Sequence, residues 1–335
     1  MLLNPVAAQQ FKIEYWNALP DTTGFAGSFA GVVNNRLIVA GGSNFPGGGA
    51  PWLGSKKVWY NAVFLLEKKT AVWKKIGHLP RPLGYGVSVS LPEGLLCIGG
   101  SNADGHRAEV LLLQIRNGML QTDTLQSLPQ PLANTCGAKV GNRIYVAGGI
   151  AAPDASVTSA AFYELDLSHG LKQAKWKALA SWPGPSRMLA VAAAVGDYFY
   201  MFSGARLANG QRAYLRDAYR FSEKTGWTKI ASLPYPVVAA ASPLMHDPKR
   251  LYLLGGDDGS NAGKDLREAH PGFSKKMLAY NYREDTWLVL PDGKEEMPFI
   301  PVTTTAVVWG DHWVIPGGEI KPGIRTPEVL TVLKK

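Results

Sequence analysis

A double glycine, or a close equivalent, closes a short apolar run six times along this chain and constrains its fold more than any other feature. The runs are rich in Val, Ile, Leu, Tyr and Phe, which are typical of β-strands. The six pairs are Gly41-Gly42, Gly99-Gly100, Gly148-Gly149, Ser203-Gly204, Gly255-Gly256 and Gly317-Gly318. Their last glycines are spaced 49 to 62 residues apart. A period of about 50 residues with this ending indicates a propeller blade, so the sequence predicts an all-β, six-bladed propeller.

Each repeat, a kelch repeat by its period, contains four predicted strands. In the first repeat the strands are expected at residues 27–33, 36–40, 61–66 and 72–76. Leu79-Pro80 follows the fourth strand, and proline ends it because proline has no N–H to donate to the ladder. A tryptophan stands seven residues before such a proline in three repeats, at Trp73, Trp176 and Trp227. We expect these large rings to fill the gaps between blades.

The two ends of the chain are expected to complete one blade together. Small residues at 190–195 and 237–241 predict inner strands, since strands converge at the axis. The last repeat has only three predicted strands, and residues 11–16 would supply the fourth. Such closure leaves no open edge strand. We therefore expect one domain over residues 1–335, with blades at about 24–80, 81–129, 130–183, 184–234, 235–291, and 298–335 plus 11–20.

Composition and charge restrict the partners of such a ring. No apolar run reaches the roughly 18 residues that a membrane span needs, so we expect no membrane partner. A net charge of +9 and a pI near 9.4 suit nucleic acid, an anionic small substrate or simply a basic surface. The lysines come as scattered pairs and not as a stripe interleaved with aromatic residues. We therefore expect no nucleic-acid partner.

Cysteine, histidine and the N-terminal residues add little. Cys97 and Cys136 are expected to be buried free thiols. The six histidines share no ligand spacing, so we expect no metal centre and no cofactor. The first residues lack the charged and apolar stretches of a complete signal peptide, although Val6-Ala7-Ala8 would fit the tail of a trimmed one. Localisation stays open between periplasm and cytoplasm.

Loops after the double glycines and linkers after the Leu-Pro pairs should share one face of the ring, so we look for a site there. Residues 41–60 form a long glycine-rich loop with aromatic residues and Lys56-Lys57. It lacks Gly-x-x-x-x-Gly-Lys-Ser/Thr and a following helix, which disfavours a nucleotide site. The alternative is a lid packed by its own aromatic residues. From this loop we assign Asn44 to substrate binding.

The loop after the last double glycine carries an acid and a guanidinium, Glu319 and Arg325, six residues apart. Pro322-Gly323 should turn the chain back, so that both side chains can point at the axis. A carboxylate can act as a general base, and arginine can bind a carboxylate through two hydrogen bonds. The alternative is an ordinary surface ion pair.

The linkers supply Arg81, Tyr85 and Arg187, each just before a predicted inner strand and so near the channel mouth. We assign all three to substrate binding, together with Lys321 of the last loop. For Arg187 the alternative is a hydrogen bond between blades to loop carbonyls.

The segment from Gly318 to Arg325 resembles Gly-Glu-Ala-Lys-Pro-Gly-Leu-Arg of the bacterial N-acetylneuraminate epimerases, which are six-bladed kelch propellers. Segments 27–42 and 85–100 resemble the same family. In characterised members these segments follow the acid–arginine loop, whereas here they precede it. The chain therefore resembles the cyclically permuted mutarotases, in which only the cut point of a closed ring has moved.

This resemblance implies an isomerase that interconverts the α and β anomers of N-acetylneuraminate (sialic acid), an anionic sugar. It assigns catalysis to Glu319, as the base that deprotonates the anomeric hydroxyl, and to Arg325, which would bind the sugar carboxylate. The general acid stays open between Lys321, Tyr85 and water. The alternative function is a non-catalytic kelch module that binds protein or glycan through the same face, with exposed aromatic residues and no convergent acid–base pair.

Overall fold

The computed structural model describes residues 11–290 and 298–334, which form six four-stranded antiparallel sheets in a propeller. The predicted fold class is confirmed. The strands of blades one and two are Phe29–Val33, Arg36–Ala40, Ala62–Leu66 and Lys74–His78, then Val87–Leu91, Gly94–Asn102, Gly105–Arg116 and Met119–Leu125. Those of blades three and four are Cys136–Val140, Arg143–Ala147, Phe162–Asp166 and Trp176–Ala178, then Val191–Val195, Tyr198–Phe202, Ala218–Ser222 and Gly226–Ile230.

The remaining blades and the small elements complete the fold. The strands of blades five and six are Met245–His246, Arg250–Leu254, Met277–Asn281 and Thr286–Leu290, then Val307–Trp309, His312–Lys321, Ile324–Lys334 and Phe11–Trp16. Two short ribbons pair Ser43–Asn44 with Val58–Trp59, and Ala205–Ala208 with Gln211–Tyr214. Three single-turn 3-10 helices cover Pro46–Gly48, Pro51–Leu53 and Arg267–Ala269. In the described ranges no helix is both long enough and apolar enough to cross a membrane.

Blade six is closed by the N-terminal strand, as predicted. Phe11–Trp16 runs antiparallel to Ile324–Lys334, with Phe11 opposite Lys334 and Trp16 opposite Val329. A polar cluster joins this blade to blade one: Lys69 Nζ lies 2.9 Å from Asp311 Oδ1 and 2.8 Å from His312 Nδ1. The first and last blades are therefore held together by side chains as well as by the sheet.

Outer-strand tryptophans link neighbouring blades, and their role exceeds the predicted filling of gaps. Each indole N–H donates to a backbone carbonyl at the end of the preceding blade. The pairs are Trp73 with Asn17 at 2.8 Å, Trp176 with Gln126 at 3.0 Å, Trp227 with Ala180 at 3.0 Å and Trp287 with Ala231 at 2.9 Å. The ring therefore repeats a hydrogen bond as well as an apolar contact.

Two strand predictions were wrong. Residues 237–241 do not form the inner strand of blade five, which is Met245–His246 instead. Pro243, which has no N–H, interrupts the ladder between the two segments. In blades two and six the second strand does not end at the double glycine. It continues through a bulge to Asn102 and Lys321, respectively, so two long hairpins rise from the face of the ring.

The inner end of each blade contributes one residue to a closed collar around the axis. The N–H of each collar residue donates to the carbonyl of a collar residue in the neighbouring blade, over 2.7 to 2.9 Å. All six lie at φ between 53° and 69°, where non-glycine residues are strained. They are Gly27, Tyr85, Asn134, Leu189, Ala239 and Thr303. The collar therefore fixes the inner ends of the six blades relative to one another.

Both cysteines are free and buried, as predicted. Burial raises the pKa of the Cys97 thiol and raises that of Cys136 to about 12. Neither sulfur is therefore a thiolate near neutral pH.

Candidate functional site

Six equivalent positions stand just outside the collar, one in each blade. Each directly follows a double glycine and pairs, as an antiparallel bridge, with the residue before a collar residue. They are Ser43, Ser101, Ile150, Ala205, Asp257 and Glu319. Blades five, six, one and two therefore present polar side chains, whereas blades three and four present apolar ones. We call these six positions the rim.

In four blades the rim residue has a cross-strand partner on the same hairpin. The pairs are Ser43 with Trp59, Ser101 with His106, Ala205 with Tyr214 and Glu319 with Arg325. Residues that face each other across a β-hairpin lie close enough for their side chains to touch. The same pair of positions recurs in all four hairpins, and in blade six it is occupied by the charged residues Glu319 and Arg325.

Glu319 is held from one side only. Its Oε1 accepts a hydrogen bond from the Gly323 N–H at 2.6 Å and another from Arg325 Nη1 at 2.9 Å. No hydrogen bond from a described residue reaches Oε2, and 18% of the side chain is exposed. The turn at Pro322-Gly323 forms as predicted, with Gly323 at φ 78°. One oxygen therefore fixes the carboxylate while the other is available to a ligand.

Arg325 is far more enclosed than its partner. Its side chain is 4% exposed, and its guanidinium lies over the Phe45 ring, 5.0 Å from the centroid. The Nε donor is buried without an acceptor among the described residues. A buried donor left unpaired is unfavourable, so this arrangement is suited to an acceptor that arrives with a ligand.

The glycine-rich loop covers this hairpin and does not pack only on its own aromatic residues. A side chain at Gly323 would meet Pro51 at 2.5 Å, so only glycine lets the loop approach the turn this closely. Trp52 Nε1 donates to Glu268 Oε1 at 2.5 Å, and Lys321 Nζ donates to the Glu268 carbonyl at 3.3 Å. Glu268 thus ties the loop of blade one to the hairpin of blade six.

Tyr85 is the predicted site residue that lines the central cavity, together with collar residues and small inner-strand side chains such as Ser28, Ser88 and Thr305. Glu319 and Arg325 stand above this narrow cavity and do not line it. The Tyr85 hydroxyl lies 2.9 Å from Ser43 Oγ, and either oxygen can donate. The ring covers Gly27, where an added methyl group would come within 2.7 Å of it. We therefore place the candidate site at the rim.

Arg187 does not line the central cavity, and its contacts favour a structural role, so its assignment to substrate binding stays a prediction. The side chain is 0% exposed. Its donors reach Asp217 Oδ2 at 2.6 Å, the Ser203 carbonyl at 2.8 Å and the Pro185 carbonyl at 3.3 Å. Every one of these acceptors belongs to its own linker or to blade four. The guanidinium is fully engaged in holding that blade together and presents no donor to a ligand.

Asn44 and Arg81 also have partners away from the cavity. Asn44 is buried, and its Nδ2 donates to the Gly24 carbonyl at 2.9 Å, although Oδ1 has no partner among the described residues. Arg81 is 48% exposed and lies 3.5 Å from Glu109. The structure brings neither into hydrogen-bonding contact with the Glu319–Arg325 pair. Their roles in binding stay predictions.

Further side chains that the sequence did not single out lie beside the rim residue Asp257. Tyr214 donates to Asp257 Oδ2 at 2.8 Å, and this contact helps burial to raise the pKa of Tyr214 to about 12. His270 accepts the Gly272 N–H at Nδ1, and burial lowers its pKa. Position was an available signal for Asp257, since each rim residue directly follows a double glycine or its close equivalent. Within the described ranges no three His, Cys, Asp or Glu side chains converge as metal ligands would.

Comparison with known sequences settles the family. The family description N-acetylneuraminate epimerase matches residues 10–122 and 125–271, which is more than half of the chain. This chain belongs to that family. An N-acetylneuraminate epimerase of Haemophilus influenzae is 29% identical over 231 residues, which cover 61% of this chain and 58% of the relative. One from Pasteurella multocida is 40% identical over 92 residues, and one from Brucella suis is 41% identical over 100 residues.

These matches cover the epimerase relatives only in part. The chain spans 58% of the length of the Haemophilus protein, and the two shorter matches span 24% and 27% of this chain and 24% and 25% of the relatives. The family match ends at residue 271, so the hairpin of Glu319 and Arg325 lies beyond it. The role of that hairpin therefore has to be argued from its geometry.

Proposed function

We propose that this protein is an isomerase that interconverts the α and β anomers of N-acetylneuraminate at the rim. The observation that carries the proposal is the Glu319 carboxylate. It is fixed through Oε1 by Gly323 and Arg325 and leaves Oε2 available above the channel. Membership of the N-acetylneuraminate epimerase family supports the choice of sugar. The net charge of +9 would also attract an anion.

In this scheme Glu319 Oε2 takes the proton of the anomeric hydroxyl while the bond between the anomeric carbon and the ring oxygen breaks. The ring oxygen takes a proton from a general acid, which leaves an open-chain ketone. After rotation about the carbon–carbon bond, the hydroxyl adds to the other face of the carbonyl and both proton transfers reverse. Glu319 and the acid thus return to their starting forms, and no cofactor takes part.

Of the three candidates for the general acid, Tyr85 has the best support. It lines the cavity below the rim, and its hydroxyl shares a proton with Ser43 Oγ, which can relay it. Lys321 has weaker support because it does not line the cavity and one of its three donors already contacts the Glu268 carbonyl. Water remains the third candidate, and Tyr85→Phe separates it from Tyr85. The tyrosine route predicts a slower variant, whereas the water route predicts an unchanged rate.

Arg325 has two roles in this scheme. It orients Glu319 through Nη1, and its buried Nε has no acceptor among the described residues, which fits a contact with the sugar carboxylate. The order of segments supports a permuted ring. A linear family match that stops before the last blade is what a moved cut point produces.

The test is proton NMR of freshly released α-N-acetylneuraminate, with wild type, Glu319→Gln and the control Glu328→Gln. Removal of a general base slows a reaction by about 10² to 10⁴-fold. We expect wild type and Glu328→Gln to accelerate equilibration and Glu319→Gln to lose the acceleration. Acceleration retained by Glu319→Gln would overturn the choice of base. No acceleration by wild type would overturn the reaction and favour a non-catalytic binding module.

A further inference from the structure

We propose that Lys57 binds the carboxylate of the anionic sugar as a second cationic contact beside Arg325. This inference rests on the proposed function, because it concerns the substrate of the same rim. Lys57 belongs to the glycine-rich loop of blade one, next to the short strand Val58–Trp59. It has no assigned role in the arguments above.

The ammonium of Lys57 stands on an aromatic platform at the channel mouth. Its Nζ lies 4.2 Å from the centroid of Tyr85 and 4.5 Å from that of Trp59. The two rings meet edge to face, with centroids 5.2 Å apart. Tyr85 lines the central cavity and covers Gly27 of the collar. Lys57 is an exposed residue, and its positive charge is held against these two rings, one of which lines the cavity.

Contacts with ring faces leave the donors of this ammonium unused. Lysine carries three N–H donors, and an aromatic face attracts the charge without accepting all of them. No hydrogen bond or ion pair joins Lys57 to another described residue. By contrast, Lys69 and Lys321 each donate to an oxygen of a neighbouring blade, in Asp311 and Glu268. Lys57 is thus a positioned cation that can accept an anionic partner.

The surroundings of Lys57 favour a single positive charge at this point. His106 lies close enough for the charge of Lys57 to act on it. Burial and that charge lower the His106 pKa, while Asp154 acts in the opposite direction. The His106 Nδ1 lies 3.0 Å from Ser101 Oγ, and the His106 Nε2 is buried without a partner in the described ranges. The imidazole therefore stays neutral near pH 7 and does not compete for the anion.

The chemistry of the sugar connects Lys57 with Glu319. In N-acetylneuraminate the carboxylate is attached to the anomeric carbon, so whatever binds it also positions the hydroxyl that reacts. Blades one and six are neighbours in the collar, where the Gly27 N–H donates to the Thr303 carbonyl at 2.7 Å. Lys57 and Arg325 can therefore approach one carboxylate from adjacent blades. Because the Arg325 side chain is only 4% exposed, a second cationic contact from Lys57 would strengthen the binding of the sugar carboxylate.

The experiment is calorimetric titration of wild type, Lys57→Met, Lys57→Arg and the control Lys56→Met. Each is titrated with N-acetylneuraminate and with its uncharged methyl ester. One charge-assisted hydrogen bond corresponds to about tenfold or more in affinity. We expect Lys57→Met to bind the acid about tenfold more weakly and the ester unchanged. Lys57→Arg and Lys56→Met should stay within about threefold of wild type for both ligands.

Each outcome separates this inference from the proposed function. Equal loss for acid and ester, or no loss for the acid, would overturn the role of Lys57 even if wild type interconverts the anomers. Binding of the acid that depends on Lys57, without anomer interconversion by wild type, would support Lys57 and overturn the reaction. If wild type binds neither ligand and does not accelerate equilibration, both proposals fail.

Discussion

Two buried arginine–carboxylate pairs in this propeller have the same chemistry and opposite surroundings. In blade four Arg187 is 0% exposed, and its acceptors include two backbone carbonyls besides Asp217. In blade six Arg325 keeps an unpartnered Nε, and its partner Glu319 is 18% exposed. In the first pair every guanidinium nitrogen donates within the protein, and Asp217 Oδ1 alone lacks a partner among the described residues. In the second pair the guanidinium itself keeps a nitrogen without a described acceptor, and Glu319 Oε2 belongs to a partly exposed side chain.

This contrast separates stabilisation from function more clearly than residue type does. A fully buried guanidinium whose nitrogens all donate has nothing to offer a ligand, because any new acceptor would have to replace bonds that already exist. A guanidinium with an unpaired nitrogen can gain a bond when an acceptor arrives, and it carries an unfavourable unpaired donor until then. The following three predictions use the difference between the two arginines, in order of expected size.

Arg187→Met should cause the largest loss of stability. Removing one partner leaves the Asp217 carboxylate buried without its counter-charge, which costs about 3–5 kcal/mol of unfolding free energy. Guanidinium denaturation of the variant measures this loss. Arg216→Met is the matched control, because Arg216 is exposed and directly precedes Asp217 in the chain, and it should change stability by less than about 0.5 kcal/mol. Equal stability of Arg187→Met and wild type would contradict the structural role.

Arg325→Met should show the opposite balance. Its partner Glu319 is partly exposed and can be rehydrated, so we expect a loss of only about 1–2 kcal/mol of unfolding free energy. Misplacement of the base should slow anomer interconversion by about 10²-fold. Denaturation and NMR exchange on one preparation measure both effects. A stability loss as large as that of Arg187→Met, without an effect on rate, would remove the distinction between the pairs.

Acid should weaken the Arg187–Asp217 pair, with the smallest of the three effects. Burial acts to raise the Asp217 pKa, but the hydrogen bonds and charge of Arg187, with the Tyr219 hydroxyl, outweigh it and lower the pKa. A lowered carboxyl pKa contributes stability above its unfolded value, about 3.9, and loses that contribution as the pH falls through the folded value. Below pH about 4, wild type should therefore lose stability more steeply than Asp217→Asn. Parallel slopes in urea midpoints would contradict this assignment.

The fold was predictable because its signals are local and repeated. The double glycine marks a strand end in four blades and a bulge in the other two, and a proline follows each outer strand, so six copies support one another. The prediction of the inner strand of blade five was wrong because small residues suit the collar as well as they suit an inner strand. Residues 237–241 include the collar residue Ala239. Only the position of Pro243 in three dimensions distinguishes the two.

The site was predictable where one hairpin supplies both partners. Glu319 and Arg325 are six residues apart, and Pro322-Gly323 turns the chain between them, so their contact follows from short-range structure. Arg187 could not be judged in this way, because Asp217 lies thirty residues further along. Lys57 was missed for the same reason. The ring that holds its ammonium belongs to Tyr85, which enters from the linker to the next blade.

The collar has a consequence for how a ring of this kind can change its ligand. Its six N–H groups and six carbonyls are joined head to tail in a closed hoop, so widening the aperture would stretch every one of those bonds together. The opening therefore has a fixed diameter, and its backbone has no spare donor for a guest. Selection among ligands would therefore fall to the side chains of the rim. Substitutions at the rim can change which ligand the opening accepts, while the backbone hydrogen bonds of the collar stay the same.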